Sequence, residues 1–218
     1  MNDRGDLQVF LERFCMGRMG LILSILAWGS LHSVFASLQF KALARRLLGP
    51  GVERVYRLGY NLFAGLSLLV VLVLAAFTAD SNLYKVPLPG SVFMIAGEFL
   101  AGIALAVGFL QGHPFEFLGL SQLGSPIGER DKLTTTGLYR LVRHPLYTAG
   151  LLLIWLDPRM TVNLLVMDLA LTAYILIGAH LEERKLRTEF GQEYEAYMAA
   201  TPMFVPILRG NKSRRGTS

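Results

Sequence analysis

The sequence predicts an all-α integral membrane protein with about five transmembrane helices and an amphipathic C-terminal helix on the cytoplasmic side. Three observations predict it. The apolar residues, 53% of 218, fall in blocks about 20 residues long instead of periodic stripes, and such a block crosses the roughly 30 Å hydrocarbon core as a helix. Only 17% of residues are charged, against about a quarter in soluble domains, and the mean hydropathy is +0.44. The basic residues cluster in the segments between blocks, as membrane topology requires.

Taken in order, the first block covers roughly residues 19–38, the second 58–79 and the third 91–110. A polar stretch, 111–144, follows. A shorter block, 146–156, then leads through Asp157-Pro158-Arg159 to a fifth, 161–179. A charged helix over roughly 181–200, Pro202, Pro206 and a basic end complete the chain. The whole reads as one membrane domain over 1–218: a three-helix part (1–110), a second part (111–208) and a basic tail (209–218).

Five crossings place the termini on opposite faces. Of the 21 Lys and Arg residues, 16 fall on one side, in the loop after block one, the polar stretch and the tail; five fall on the other. This bias predicts a cytoplasmic C-terminus. Acidic and basic residues mix over the first eighteen positions, which argues against a cleaved signal peptide. The single cysteine, Cys15, excludes an intramolecular disulfide and reads as an interfacial residue without a role.

The fourth block is the informative one. From Pro145 to Leu156 it is about 18 Å long as a helix, too short for the core. Proline suits a first helical turn, so a helix starting at Pro145 would hold Arg143 and His144 in a dip within the cytoplasmic leaflet. Non-helical backbone at that depth needs protein or a cavity to cover it. The alternative is a helix that starts near Leu138 and kinks at the proline.

All four histidines, His32, His113, His144 and His180, fall at or near the cytoplasmic level, with Arg143, Glu182 and Glu183 beside the last two. Ionisable groups at a membrane segment are candidates for function. For His32 and His113 alone an ordinary helix contact is the preferred reading. Glu98 and Asp168 lie nearer the outer side, where a structural interhelical hydrogen bond is the leading reading and a proton pathway the alternative. The histidines are too scattered for a metal site, no strand precedes a phosphate-binding loop, and the interleaving of charge with apolar blocks leaves no reason to invoke nucleic acid.

The run Gly137-Leu138-Tyr139-Arg140-Leu141-Val142-Arg143-His144-Pro145-Leu146-Tyr147, followed by Glu182-Glu183-Arg184-Lys185-Leu186, then Phe190-Gly191-Gln192-Glu193-Tyr194-Glu195-Ala196-Tyr197, Pro202 and Pro206, resembles the isoprenylcysteine carboxyl methyltransferases and their phospholipid methyltransferase relatives. The resemblance covers roughly the last 85 residues. Leu138 departs from it, at a position where that family often has proline. In the first half, His32-Ser33-Val34-Phe35-Ala36-Ser37 with Lys41 is similar to bacterial members grouped with methanethiol S-methyltransferase and with a denitrification-associated membrane protein family. So are Pro158-Arg159-Met160-Thr161 and residues 172–178.

The resemblance implies a methyltransferase of the inner membrane that uses S-adenosylmethionine, with the donor bound between the start of helix four and the end of helix five. It implies Arg143, His144, Tyr139, Tyr147, Glu182 and Glu183 as donor-site residues, and Arg143 and His144 as the catalytic pair. Glu182 or Glu183 can meet the donor's ammonium. Free N–H groups at the start of helix four and an Arg143 fork can meet its carboxylate, and apolar lining that includes Trp155 and Tyr174 can hold its adenine. His144 is the candidate base for a thiol acceptor, the alternative being that it only holds the donor; a carboxylate acceptor needs no base. In isolation, Glu183 with Arg187 reads as a charged face at i,i+4 spacing. Tyr194 and Tyr197 read as residues that dock the tail helix on the membrane surface. Two other readings stay open: a sterol-reductase-like NADPH oxidoreductase, and a non-catalytic denitrification-associated membrane protein.

Overall fold

The computed structural model describes residues 3–112, 114–120, 123 and 133–206, and the side chains of 3–15, 116 and 117 are outside it. His113, Arg130, Lys132, the basic tail from 209 and the side chain of Cys15 therefore lie outside the described residues.

The chain is mostly helical: α1 (Asp3–Ala36), α2 (Leu38–Leu48), α3 (Val52–Phe77), α4 (Gly90–Gln111), α5 (Pro114–Leu118), α6 (Pro145–Trp155), α7 (Val162–Phe190) and α8 (Gln192–Ala200). Among the described residues, four segments are long and apolar enough to cross a membrane: Met16–Ala36 of α1, and α3, α4 and α7. At eleven residues, α6 is not. These helices face outward with apolar side chains. In α3 only Val71 is buried, while Leu66, Leu69, Val70 and Phe77 stand exposed, the pattern expected where hydrocarbon replaces water as the neighbour.

Each boundary has a local cause. Ser37 ends α1 and caps α2, its hydroxyl accepting from the Phe40 amide at 3.2 Å. The amphipathic α2 carries Lys41, Arg45 and Arg46, and Arg45 meets Glu53 of α3 at 3.0 Å. Gly119, after α5, has a φ of +85°, and its Cα lies so close to α3 that an added Cβ would stand 2.6 Å from the Leu58 amide nitrogen. Only glycine meets both conditions.

The all-α expectation is corrected by two short strands, β1 (Asn82–Lys85) and β2 (Arg159–Thr161), which pair antiparallel. They join the link between α3 and α4 to the link between α6 and α7. Asn163 adds to this junction, its amide donating to Asp80 Oδ1 at 3.1 Å and its Nδ2 to the Thr78 carbonyl at 3.2 Å. Alternation of side chains over four residues is too brief a signal to separate from a turn.

The short α6 runs antiparallel to α4 and packs closely on it. Gly97 of α4 faces Leu156, and Gly108 faces Leu146 and Leu138; small residues let helices approach in this way. Beyond Pro145 the height left by α6 is filled by a 3₁₀ turn, Gly137–Arg140, whose Leu138 amide donates to Gln111 Oε1 at 2.8 Å. Of the two starts considered for this helix, the structure has the one at Pro145.

The boundary set at residues 180–181 is corrected as well. α7 continues unbroken to Phe190 and the separate tail helix begins only at Gln192. Leu, Glu, Lys and Arg are good helix formers, so the change from apolar to charged residues alters the surroundings of the helix without ending it. It ends at Gly191, where φ is +54°. Among the described residues, neither Glu98 nor Asp168 makes an interhelical side-chain hydrogen bond; Asp168 is buried and Glu98 half-buried.

Candidate active site

The site lies where α6 begins and α7 leaves its apolar stretch. His144 stands immediately before Pro145, and the turn there aims both Arg143 and His144 at α7. Arg143 donates from Nε to Glu183 Oε1 at 2.7 Å, and its Nη2 meets the same oxygen at 2.7 Å. Its Nη1 donates to the carbonyls of Met198 and Thr201. Both side chains of the pair are 9% exposed. The i,i+4 partner of Glu183 is engaged elsewhere, since Arg187 Nε lies 3.2 Å from the Met198 sulfur.

His144 is buried with its Nε2 3.3 Å from Glu183 Oε1 and its Nδ1 3.9 Å from Glu182 Oε2. Tyr147, one turn on, stacks on the imidazole with centroids 5.4 Å apart and donates from its hydroxyl to Glu182 Oε2 at 2.9 Å. Burial pushes the His144 pKa below its ordinary value; Glu182 and Glu183 oppose this and Arg143 adds to it.

The residues 201–204 form a strap over this cluster. The Arg143 amide donates to the Pro202 carbonyl at 2.8 Å and the His144 amide to that of Met203 at 3.2 Å. The Thr148 hydroxyl donates to the Phe204 carbonyl at 3.0 Å, and the Phe204 ring lies 5.8 Å from His144. The amides of Arg143 and His144 are therefore engaged. Those of Leu146 and Tyr147, in the first turn of α6, have no intrahelical partner. α8 holds the strap in place. Tyr194 is 1% exposed, its hydroxyl pushed up to about 12 by burial first and then by Glu183, and the Tyr197 hydroxyl donates to the Tyr139 carbonyl. These two tyrosines thus pack the tail helix against the protein.

Five of the six expected site residues thus come together: Arg143, His144, Tyr147, Glu182 and Glu183. Tyr139 contributes its carbonyl to the cluster, while its hydroxyl lies against Gly112 at the end of α4. Trp155 is at the far end of α6, its indole N–H donating to Thr172 at 2.9 Å. His180 is exposed, bonded to the Leu176 carbonyl of its own helix. His32 and Tyr174 lie together in a separate aromatic group. The strap, Thr148 and Phe204 were not anticipated. Pro202 and Pro206 were the only sign of them, marking a helix end without telling where the chain goes next.

A half-length helix set on a full-length one thus brings a buried cation, two carboxylates and a histidine together at its start. No family model matches the chain, and no solved structure matches it. Curated proteins do match. A methanethiol S-methyltransferase of Crocosphaera subtropica is 34% identical over 84% of this chain and 71% of its own length. One of a Pseudomonas species is 36% identical over 84% and 71%, and one of Mycobacterium tuberculosis is 32% identical over 80% and 72%. The chain belongs to the methanethiol S-methyltransferase family, and with it to the methyltransferases.

Proposed function

We propose that the chain is an integral protein of the bacterial inner membrane, with its C-terminus cytoplasmic, that transfers a methyl group from S-adenosylmethionine to a small thiol. The observation that carries this reading is the contrast between the two glutamates. Glu183 is buried and neutralised by Arg143, whereas the Glu182 side chain is 45% exposed and is fixed by the Tyr147 hydroxyl.

The residues present fit the donor. Glu182 offers an oriented carboxylate for an ammonium group. The first-turn amides of Leu146 and Tyr147, at the positive end of α6, suit a carboxylate. When bound, S-adenosylmethionine supplies an electrophilic methyl group on a sulfonium. Arg143 spends its guanidinium donors on Glu183 and two carbonyls, so its part is to position Glu183, and through it His144. The strap and the ring of Phe204 exclude water from that side. The small thiol follows from the relatives, which are named methanethiol S-methyltransferases. No observation on the site favours a lipid-like acceptor, a nicotinamide cofactor or a purely non-catalytic role.

Calorimetric titration of the detergent-purified chain with S-adenosylmethionine tests this. Saturable binding is expected, and Glu182→Gln should weaken it about tenfold or more, the worth of a hydrogen bond to a charged group. A folded wild-type chain that gives no binding heat would sink the proposal.

A further inference from the structure

Next to this site, α1, α3 and α7 enclose a histidine in aromatic rings. Trp28 and His32, one turn apart on α1, stack with centroids 5.3 Å apart. Tyr60 from α3 stands 4.9 Å from the same imidazole, and Tyr174 from α7 stands 5.4 Å from it. The Tyr60 hydroxyl is hydrogen-bonded with His32 Nε2 at 2.5 Å. His32 Nδ1 is buried and has no hydrogen-bond partner among the described residues. A half-buried imidazole whose covered Nδ1 has no partner among the described residues calls for an explanation.

The group is separate from the donor site but close enough to influence it. Tyr60 and Tyr174 are electrostatic neighbours of Tyr147, the residue that holds Glu182. The titratable groups facing the Tyr60–His32 pair are Tyr56, Tyr174 and Tyr147. Among the described residues no carboxylate is hydrogen-bonded or ion-paired with the pair.

A small alkyl thiol is unionised at neutral pH and becomes a nucleophile only as the thiolate. His144 is badly placed to take that proton, because both its ring nitrogens face carboxylates that hold it in orientation. We propose that Tyr60 and His32 deprotonate the acceptor thiol, and that Trp28 and Tyr174 wall its apolar subsite. This rests on the thiol reading above. The S–H proton passes to the Tyr60 oxygen while the Tyr60 proton passes to His32 Nε2. The S–H electron pair stays on sulfur as thiolate, and the imidazole becomes imidazolium, later giving its proton to water. The aromatic walls leave the thiolate poorly solvated and so reactive.

The test uses the full chain in detergent and the variants Tyr60→Phe and His32→Gln. Binding of S-adenosylmethionine is measured by calorimetry, and thioether formation from a small alkyl thiol by headspace gas chromatography across pH. Both variants should bind S-adenosylmethionine as wild type does. Near neutral pH they should turn over about a hundredfold more slowly, the usual range for a lost general base, and recover as alkali generates thiolate without help. Variants with the wild-type rate and pH profile overturn the proposal. So does loss of S-adenosylmethionine binding in both, which would mark the pair as packing. A wild-type chain that binds no S-adenosylmethionine is a separate result, removing the donor site and this proposal together.

Discussion

Glu183→Ala is expected to cost about 3–5 kcal/mol of stability, the usual penalty for leaving one charge of a buried pair without its partner. Arg143 would keep its two carbonyl acceptors but lose the carboxylate that neutralises it, in surroundings where both side chains are 9% exposed. His144 would lose its nearest polar neighbour at the same time. Denaturant or thermal unfolding in detergent measures the effect. The double variant Arg143→Met/Glu183→Leu separates two roles of the pair. Apolar groups of similar volume often replace a buried ion pair at little cost, so stability should return. Binding of S-adenosylmethionine should not, because His144 would still lack its support. A double variant that binds like wild type would show that the ion pair serves folding alone.

Ending the chain at Ala200 is expected to abolish the site while sparing the membrane helices. The deletion removes the carbonyl partners of the Arg143 and His144 amides and of the Thr148 hydroxyl. Each polar group left buried and unpaired costs about 1–3 kcal/mol. Two such losses correspond to about a thirtyfold or greater fall in affinity for S-adenosylmethionine. Because the strap bonds through its main chain, Met203→Leu should be nearly silent. Calorimetry on both chains decides the matter: truncated protein that binds with undiminished affinity removes the strap from the site.

How much of this was legible depends on the kind of signal each element sends. A membrane span announces itself by length and apolarity alone, so 91–110 anticipates α4 at Gly90–Gln111 within a residue at each end. Pro145 marked the start of α6 because proline has a fixed meaning at a first turn. The end of α7 was misplaced because a change in polarity was read as a change in structure. The Arg143–Glu183 pair is separated by 40 positions, and nothing local told Glu183 to prefer it over Arg187 one turn away. The strap was invisible for a different reason: its bonds use carbonyls, which every residue carries. The ring around His32 draws on three helices, and only Trp28 shares a helix with it, so the sequence carried no local signal of it.

α7 has a consequence for the setting in which the protein works. Its 29 residues form one rod about 43 Å long, and Glu182 lies about 30 Å along it from Val162, the thickness of a typical hydrocarbon core. The same rod therefore spans the bilayer and carries the acidic half of the site, while the basic half is fixed to α4 through α6. A bilayer thinner than the rod makes it lean, which would shift Glu182 relative to His144 and Tyr147. Lipid acyl length then becomes a control on the reaction. In reconstituted vesicles, turnover should pass through a maximum as chain length is varied; a flat response would show that the bundle holds the two halves rigidly against the membrane's pull.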